Sequence, residues 1–474
     1  MENQVSRIKR NSIFSFFSIA ARLIANIILF IGIARWYGPE VLGSFSSAFA
    51  MSAIFIVLGD FGFDILLTTE VAKKQRDINY LIMHYFSIKF TFSMVAMIIL
   101  WTLPLIREIN PTTISLTYIL SFSVIFTTLS NFFFALFKGL EQFEHEMKIV
   151  LLSNIMLIVF LTIIALAKLS VLLVGVAFVL SRAITLALAS FKTVQLIDLK
   201  KFHFTLHGLS TEWRIILIFG FSVISGNLLV LVVTPLLLFL QNEYAVGIYE
   251  SVFKIVGLTL IIPEIGINTM LPTLSRFNEE NKDKWLRASM ILNKTLFFLS
   301  LPISLCLFVI PEHIIALLYG LDKYSASVPI MRIAAFVVIV RFLVETAALM
   351  LTTSNRQSIR MIITAAGTVC MAILCLILIP RYGVMGAAIS SLIVNVLIGG
   401  GYVLAVRPHY FEWIFKKDFI IPSIATALSG WCLLYFDGYI KILMILPIMV
   451  FNIFLYYFIG YSKSERKMLF SIQG

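Results

Sequence analysis

Apolar runs of about 20 residues recur along the whole chain, and they constrain its fold more than any other feature. A transmembrane α-helix needs roughly 20 apolar residues, and inside a bilayer each helix must satisfy its own backbone hydrogen bonds. The composition agrees with this, because 60% of the residues are hydrophobic and only 13% are charged, whereas soluble domains average about 25% charged residues. A membrane β-barrel would instead show alternating segments of about ten residues. The sequence therefore predicts an all-α polytopic membrane protein.

The apolar runs predict about fourteen transmembrane helices. The predicted spans are 13–34, 43–66, 81–103, 114–137, 148–168, 170–190, 214–240, 248–272, 289–310, 329–351, 361–379, 383–406, 418–436 and 440–460. The segments between them are too short to hold a soluble domain.

The distribution of positive charge predicts the orientation in the membrane. Of the 37 lysines and arginines, 25 lie in or next to segments that are cytoplasmic if the N-terminus is inside, and 6 lie in the outer loops. Cytoplasmic loops of membrane proteins carry an excess of Lys and Arg. We therefore expect both termini to be cytoplasmic, and we attribute the net charge of +12 to these loops rather than to nucleic-acid binding.

Two pairs of similar segments indicate an internal repeat. Gly43–Phe49 opens the second span and Gly247–Phe253 opens the eighth, 204 residues later; Gly175–Ser181 resembles Gly386–Leu392, 211 residues later. Six spans is an even number, so the two halves would enter from the same membrane side and would hold a substrate site between them near the midplane. This predicts an N-terminal six-helix bundle at 1–200, a C-terminal six-helix bundle at 201–410, and two extra transmembrane helices with a cytoplasmic tail at 411–474.

No motif of a known enzyme class is present. The sequence has no HExxH, P-loop or GxSxG motif and no large outer loop. The four cysteines all lie in apolar runs without a CxxC pair, and we interpret them as packed small side chains rather than as disulfide or metal ligands. We expect no enzyme activity, no metal site and no cofactor.

Charged side chains inside the spans are the candidate functional residues, because such charges are costly and mark a pathway, a partner or a relay. The candidate substrate-binding cations are Arg22, Lys89, Arg182, Lys254 and Arg341. The acids inside the spans include Asp60, Glu264 and Glu345.

The surroundings of these charges leave alternatives open. Arg341 and Glu345 are four residues apart and could form an ion pair along one helix. Arg22 has no acid three or four residues away, so it needs a partner on another helix or a hydrated cavity. If the cations of several spans face one lumen, the lumen would attract an anion, and guanidinium groups suit phosphate oxygens.

Several short motifs together resemble one transporter family. They are Tyr37-Gly38-Pro39-Glu40 with Gly43, Asp60-Phe61-Gly62-Phe63, Ala72-Lys73 with Arg76-Asp77, Lys138-Gly139-Leu140-Glu141, Val246-Gly247-Ile248-Tyr249 with Lys254, and Pro380–Ala388. In order and spacing they resemble the Wzx-type flippases, the polysaccharide-exporter branch of the MOP (multidrug/oligosaccharidyl-lipid/polysaccharide) superfamily. That family commonly has twelve spans, and the related lipid II flippases resembling MurJ have fourteen.

The resemblance implies a fold of two six-helix bundles in a V, as in MATE and MurJ proteins, and alternating access. It implies transport of an undecaprenyl-pyrophosphate-linked oligosaccharide, an O-antigen or similar lipopolysaccharide repeat unit, across the bacterial inner membrane. The resemblance also implies coupling to a proton or sodium gradient, for which Asp60, Glu264 and Glu345 are the candidate ion-coupling acids. Family analogy adds a polysaccharide polymerase and a chain-length regulator as candidate partners.

Two other functions remain open at this point. A cation-coupled multidrug exporter of the MATE type would share the fold, but its lumen would be richer in acids than in bases. A membrane-embedded polysaccharide polymerase or ligase would need a larger outer loop for acceptor chemistry.

Overall fold

The computed structural model describes residues 4–73, 77–105, 109–196, 204, 220, 224, 226–406, 417–436, 438–462 and 465–466. Within these ranges nearly every residue is helical and no β-strand occurs. The chain divides into two compact units, Met1–Gly247 and Ile248–Gly474.

The first unit is built around its fifth helix. Its helices are α1 (Gln4–Tyr37), α2 (Pro39–Asp60), α3 (Phe63–Lys73), α4 (Ile78–Thr102), α5 (Pro111–Gly139), α6 (Phe143–Leu166), α7 (Val171–Val194) and α8 (Val233–Leu240). Helix α5 packs against α2, α3, α4 and α7, and α1 packs along α6. The buried core at α5 is rich in phenylalanine, with Phe63, Phe132 and Phe137 fully enclosed.

The second unit is organised in a similar way around a central helix. Helix α9 (Glu243–Thr259) begins in the first unit and continues into the second. The further helices are α10 (Ile261–Glu280), α11 (Lys282–Val309), α12 (Pro311–Leu318), α13 (Leu321–Tyr324), α14 (Ser327–Thr353), α15 (Gln357–Tyr382), α16 (Val384–Val406), α17 (Lys417–Leu434) and α18 (Gly438–Leu455), which ends in a π-helical turn at Tyr456–Gly460. Helix α14 packs against α10, α11 and α16.

The prediction of an all-α polytopic membrane protein is confirmed. In the described part of the chain, 12 helices are long and apolar enough to cross a membrane. Of the other two predicted spans, 214–240 lies partly outside the described residues and ends in a shorter apolar helix, Gly226–Leu240. The span 418–436 is helix α17, whose 18 residues begin with Lys417-Asp418. The bundle boundaries at 200 and 410 stay a prediction.

The second predicted span is not one continuous helix. The sequence predicts a helix from 43 to 66, but the helix ends at Asp60 and restarts at Phe63. Phe61 (φ 44°) and Gly62 (φ 81°) take the left-handed conformation at the break. The Asp60 carboxylate accepts hydrogen bonds from the backbone N–H of Gly62 (3.3 Å) and Asp64 (3.4 Å), as a capping residue does at a helix start. The Asp-Phe-Gly-Phe motif is therefore a helix break stabilised by its own aspartate.

Two glycines of the repeat permit a close helix contact within the first unit. A Cβ atom on Gly43 of α2 would overlap the backbone carbonyl of Glu243, and a Cβ atom on Gly247 would overlap that of Pro39. The contact is reciprocal, because each glycine faces the carbonyl four residues before the other one. The first turn of α9 thus lies backbone to backbone against α2, which explains why the repeat carries glycine at both positions.

Candidate functional site

The break between α2 and α3 holds a buried cluster of three charges. Lys89 of α4 is completely buried, and its Nζ lies 2.7 Å from Asp60 Oδ1 and donates a second hydrogen bond to Asp64 Oδ1. The Phe132 ring lies 5.6 Å from the ammonium. We call Lys89, Asp60 and Asp64 the α4 lysine lock, because the lysine bridges the two acids on either side of the break.

A second charged cluster joins α1, α5 and α6. The Arg22 guanidinium lies 2.8 Å from Glu146 Oε1, and Lys138 Nζ lies 3.3 Å from Glu146 Oε2. The Glu146 side chain is only 5% exposed, whereas 34% of the Arg22 side chain is exposed. Arg22 also lies 5.5 Å from the Phe134 ring. Of the two alternatives for Arg22, the structure shows a partner on another helix, and about a third of the Arg22 side chain remains exposed.

Arg182 has a different environment from the other four candidate cations. It lies in the middle of α7, is half-buried, and stacks at 4.7 Å on the ring of Phe178. Phe178 in turn packs edge-to-face on Phe49 of α2. No acidic side chain contacts Arg182 in the described part of the chain, and the positive charge of Arg22 acts on it. The two arginines therefore place two positive charges near each other in the first unit.

The candidate cations of the second unit each have an acid on the same helix. Lys254 Nζ lies 3.1 Å from Glu250 Oε2, and Arg341 lies 3.3 Å from Glu345 Oε1, both pairs four residues apart. The mutual pair expected for Arg341 and Glu345 is therefore present. About a quarter of each of these two side chains is exposed, and Arg341 Nε is buried without a hydrogen-bond partner among the described residues. Arg341 thus keeps one unused donor.

Glu264 has the opposite character to Asp60 and Glu345. It lies in the first turn of α10 and is exposed. The described residues offer it no ion-pair partner within 4 Å. Of the three candidate ion-coupling acids, Glu264 is the one whose charge is not balanced by a neighbouring cation in the described ranges.

Sequence reasoning missed two buried charges. Glu146 lies between the predicted spans 114–137 and 148–168, yet it is the buried partner of Arg22. Lys294 lies within the predicted span 289–310 but was not among the candidate cations, and it is completely buried and bonded to Asp418 and Glu465. A signal existed for Lys294, because it lies 205 residues after Lys89, close to the repeat offset of 204.

The geometry describes what this site can do chemically. Arginine presents several N–H donors in a planar fork, which matches phosphate oxygens in two-point contacts. Arg182 has its guanidinium unopposed by acid, and Arg22 and Arg341 keep accessible or unused donors. The described residues contain no group of three His, Cys, Asp or Glu side chains placed to hold a metal ion. Arginine donors of this kind can bind an anion.

A family model and several solved structures match the chain. The model of the family described as polysaccharide biosynthesis protein matches residues 33–329, which is more than half of the chain. The structure is similar to the lipid II flippase MurJ in its inward closed conformation, with a TM-score of 0.77, 15% identity, and coverage of 94% of this chain and 98% of that one. No curated protein sequence matches the chain.

Two multidrug and related transporters share the same fold. An inward-facing MATE family transporter of the MOP superfamily matches with a TM-score of 0.67 and 16% identity, covering 84% of this chain and 96% of that one. A MOP superfamily transporter from Pyrococcus furiosus, whose title reports a reversed polarity of the binding pocket, matches with a TM-score of 0.57 and 15% identity, covering 84% and 95%. At these identities the matches establish the fold, which is that of MurJ and MATE transporters.

Proposed function

The chain belongs to the polysaccharide biosynthesis protein family, and on that premise we propose that it is a flippase for a lipid-linked oligosaccharide. Its substrate would be an O-antigen or similar repeat unit on undecaprenyl pyrophosphate, moved from the inner to the outer leaflet of a bacterial inner membrane by alternating access. Both termini would be cytoplasmic, and a polymerase and a chain-length regulator would act on the product. The family match, the transporter fold and the twelve apolar helices support this proposal.

The observation that carries the proposal is the environment of Arg182. A half-buried guanidinium in the middle of a membrane-spanning helix, without an acid nearby in the described ranges, is costly unless an anion occupies the region at some stage of the cycle. The pyrophosphate bridge is the part of such a substrate that carries concentrated negative charge. We therefore assign the leading pyrophosphate contact to Arg182, with Arg22 beside it.

The remaining proposed contacts are graded by their accessibility. About a quarter of the Arg341 side chain and about a third of the Lys254 side chain are exposed, so both can contribute to binding a pyrophosphate or an anionic sugar. Lys89 is fully buried between Asp60 and Asp64, which favours support of the helix break over direct contact. We therefore expect substitution of the arginines to reduce transport more than substitution of the lysines.

For ion coupling we propose Glu264 ahead of Asp60 and Glu345. Proton or cation binding by a carboxylate is easiest where no lysine or arginine already neutralises it, because the bound ion then gains the full interaction. Asp60 is held by Lys89 and Glu345 by Arg341. Glu264 is exposed on a membrane helix, where an ionised side chain needs access to water.

The test is export of polysaccharide by a bacterium that lacks its own flippase and carries the native polysaccharide gene cluster of this protein. Wild type should restore surface polysaccharide. Arg182→Ala should reduce it roughly tenfold to a hundredfold, which corresponds to the loss of a charge-assisted contact of about 1.5–3 kcal/mol. Lipid-linked repeat units should accumulate in the inner leaflet.

Arg332→Ala is the matched control, because Arg332 is also a span arginine but forms an exposed pair with Glu312 at 2.6 Å. It should export like wild type at equal membrane abundance. Full export by Arg182→Ala would remove Arg182 from the proposed site. Failure of the wild type to restore export in its native cluster would contradict the flippase assignment itself.

A further inference from the structure

The internal repeat extends to the charges around the α4 lysine lock. Asp60-Phe61-Gly62-Phe63-Asp64 corresponds to Glu264-Ile265-Gly266-Ile267-Asn268, again 204 residues later, and Lys89 corresponds to Lys294. Each half therefore carries this acidic motif and, on a following helix, a buried lysine. The two lysines have the same burial, since both side chains are completely enclosed.

Their partners differ between the two halves. Lys89 bonds to the two acids of its own repeat motif. Lys294 bonds instead to Asp418 of α17 at 2.9 Å and to Glu465 at 3.0 Å. Asp418 is in the first turn of α17 and Glu465 follows the π-helical turn that ends α18, so both lie outside the repeat.

The ammonium group of Lys294 is fully satisfied by these late segments. Its third acceptor is the backbone carbonyl of Gly460, at 3.1 Å, in the π-helical turn that ends α18. A lysine ammonium has three donors, so all of them are directed at residues after 410. Glu465 also accepts a hydrogen bond from the backbone of Ser462 at 2.7 Å, which fixes the position of its carboxylate.

Aromatic side chains pack beside this charge cluster, while 39% of the Asp418 side chain is exposed. Phe298 of α11 stacks on Tyr456 with ring centroids 5.2 Å apart and packs against Phe419 and Tyr461. Thr295 bonds to the Tyr461 hydroxyl at 2.8 Å. Lys294 and Glu465 are both buried, and removal of one partner of a buried ion pair leaves an uncompensated charge.

The geometry points to a specific role for this cluster: Lys294, Asp418 and Glu465 form a lock that fastens the two C-terminal helices to α11 and makes them an integral part of the second unit. Apolar contacts alone would fix them poorly, because lipid tails compete with leucine for the same surfaces. At its other end, the interface between α11 and the two C-terminal helices is apolar. Leu305 and Val309 pack there with Leu433 and Ile445. Lys294 is thus a positioning residue that determines where α17 and α18 dock, independently of the substrate that the protein carries.

A cross-linking experiment on the full-length protein tests this role. Cys306 Sγ of α11 lies 3.4 Å from Met449 Sδ of α18, so Met449→Cys places a thiol pair across the interface. With the other three cysteines replaced by alanine, oxidation should join the pair in most molecules. The joined fraction can be counted in the purified protein by labelling the remaining thiols with a PEG-maleimide after denaturation.

Lys294→Met should lower the joined fraction at least fivefold, because it leaves two carboxylates facing each other without a cation. The triple variant Lys294→Met, Asp418→Asn, Glu465→Gln should restore it, because it removes the charge from the whole cluster while keeping its shape. Lys254→Met is the matched control, since Lys254 pairs with an acid of its own helix and should leave the joined fraction unchanged. The proposal is overturned if Lys294→Met cross-links like the parent, or if the triple variant cross-links as poorly as Lys294→Met.

Discussion

Substitution of Lys89 by methionine should destabilise the first unit strongly. The side chain is 0% exposed, its Nζ lies 2.7 Å from Asp60 Oδ1, and it also bonds to Asp64. Methionine would fill a similar volume but would leave two carboxylates facing each other in apolar surroundings. Breaking a buried ion pair by removal of one partner costs about 3–5 kcal/mol. The lost bridge also leaves the break at Phe61-Gly62 without its support on α4.

The measurement is thermal unfolding of the purified protein in lipid nanodiscs. The matched control is Lys148→Met, because Lys148 forms an exposed i,i+4 pair with Glu144 and exposed pairs contribute little. We expect a shift of several degrees for Lys89→Met and none outside error for the control. The variant with Lys89→Met, Asp60→Asn and Asp64→Asn together should recover most of the loss. Equal unfolding temperatures of Lys89→Met and Lys148→Met would refute the reasoning.

Three further outcomes follow from the described contacts. Gly43→Ala should destabilise the protein by about 1–3 kcal/mol, because the added Cβ would overlap the backbone of Glu243, which cannot move aside as a side chain can. Gly400→Ala is the control: its Cβ would meet no atom within 4 Å, and it should leave the unfolding temperature unchanged. Gly62→Ala should cost about 1 kcal/mol, because its φ of 81° is unfavourable for an L-residue; an unchanged midpoint would contradict the helix break. Glu146→Gln should lower the free energy of unfolding by about 1–3 kcal/mol, because it weakens the 2.8 Å contact with Arg22. If the double variant Arg22→Ala, Glu146→Gln unfolds at a much lower temperature than either single variant, the two residues do not act as a pair.

The secondary structure was largely readable from the sequence, for a specific physical reason. A bilayer imposes helix on every apolar span, so span length and hydrophobicity suffice to predict an all-helical membrane protein. The helix break at Phe61-Gly62 was not predicted, although the sequence contains its elements. A hydrophobicity pattern does not reveal such a break, because Phe and Gly are both tolerated inside a span. The capping role of Asp60 depends on the local backbone conformation.

The partners of the charges could be predicted only where they lie on one helix. Arg341 and Glu345 are four residues apart, and helix geometry alone brings them together. Arg22 and Glu146 are 124 residues apart, and Lys294 and Glu465 are 171 residues apart. Such pairs depend on which helices pack side by side and on their rotation, and neither is encoded in the period of one segment.

These pairings change how a charge inside a membrane helix should be interpreted in this protein. An unpaired charge in a span indicates a ligand or a hydrated pathway, but a paired one is explained by its partner. Four of the five candidate cations have an acid within 4 Å: Arg22, Lys89, Lys254 and Arg341. For these four the cost of the charge is already offset inside the protein. Arg182 is the candidate for which the described residues provide stacking on Phe178 but no opposite charge. The requirement for an external anion therefore depends on Arg182 rather than on the number of cations in the spans.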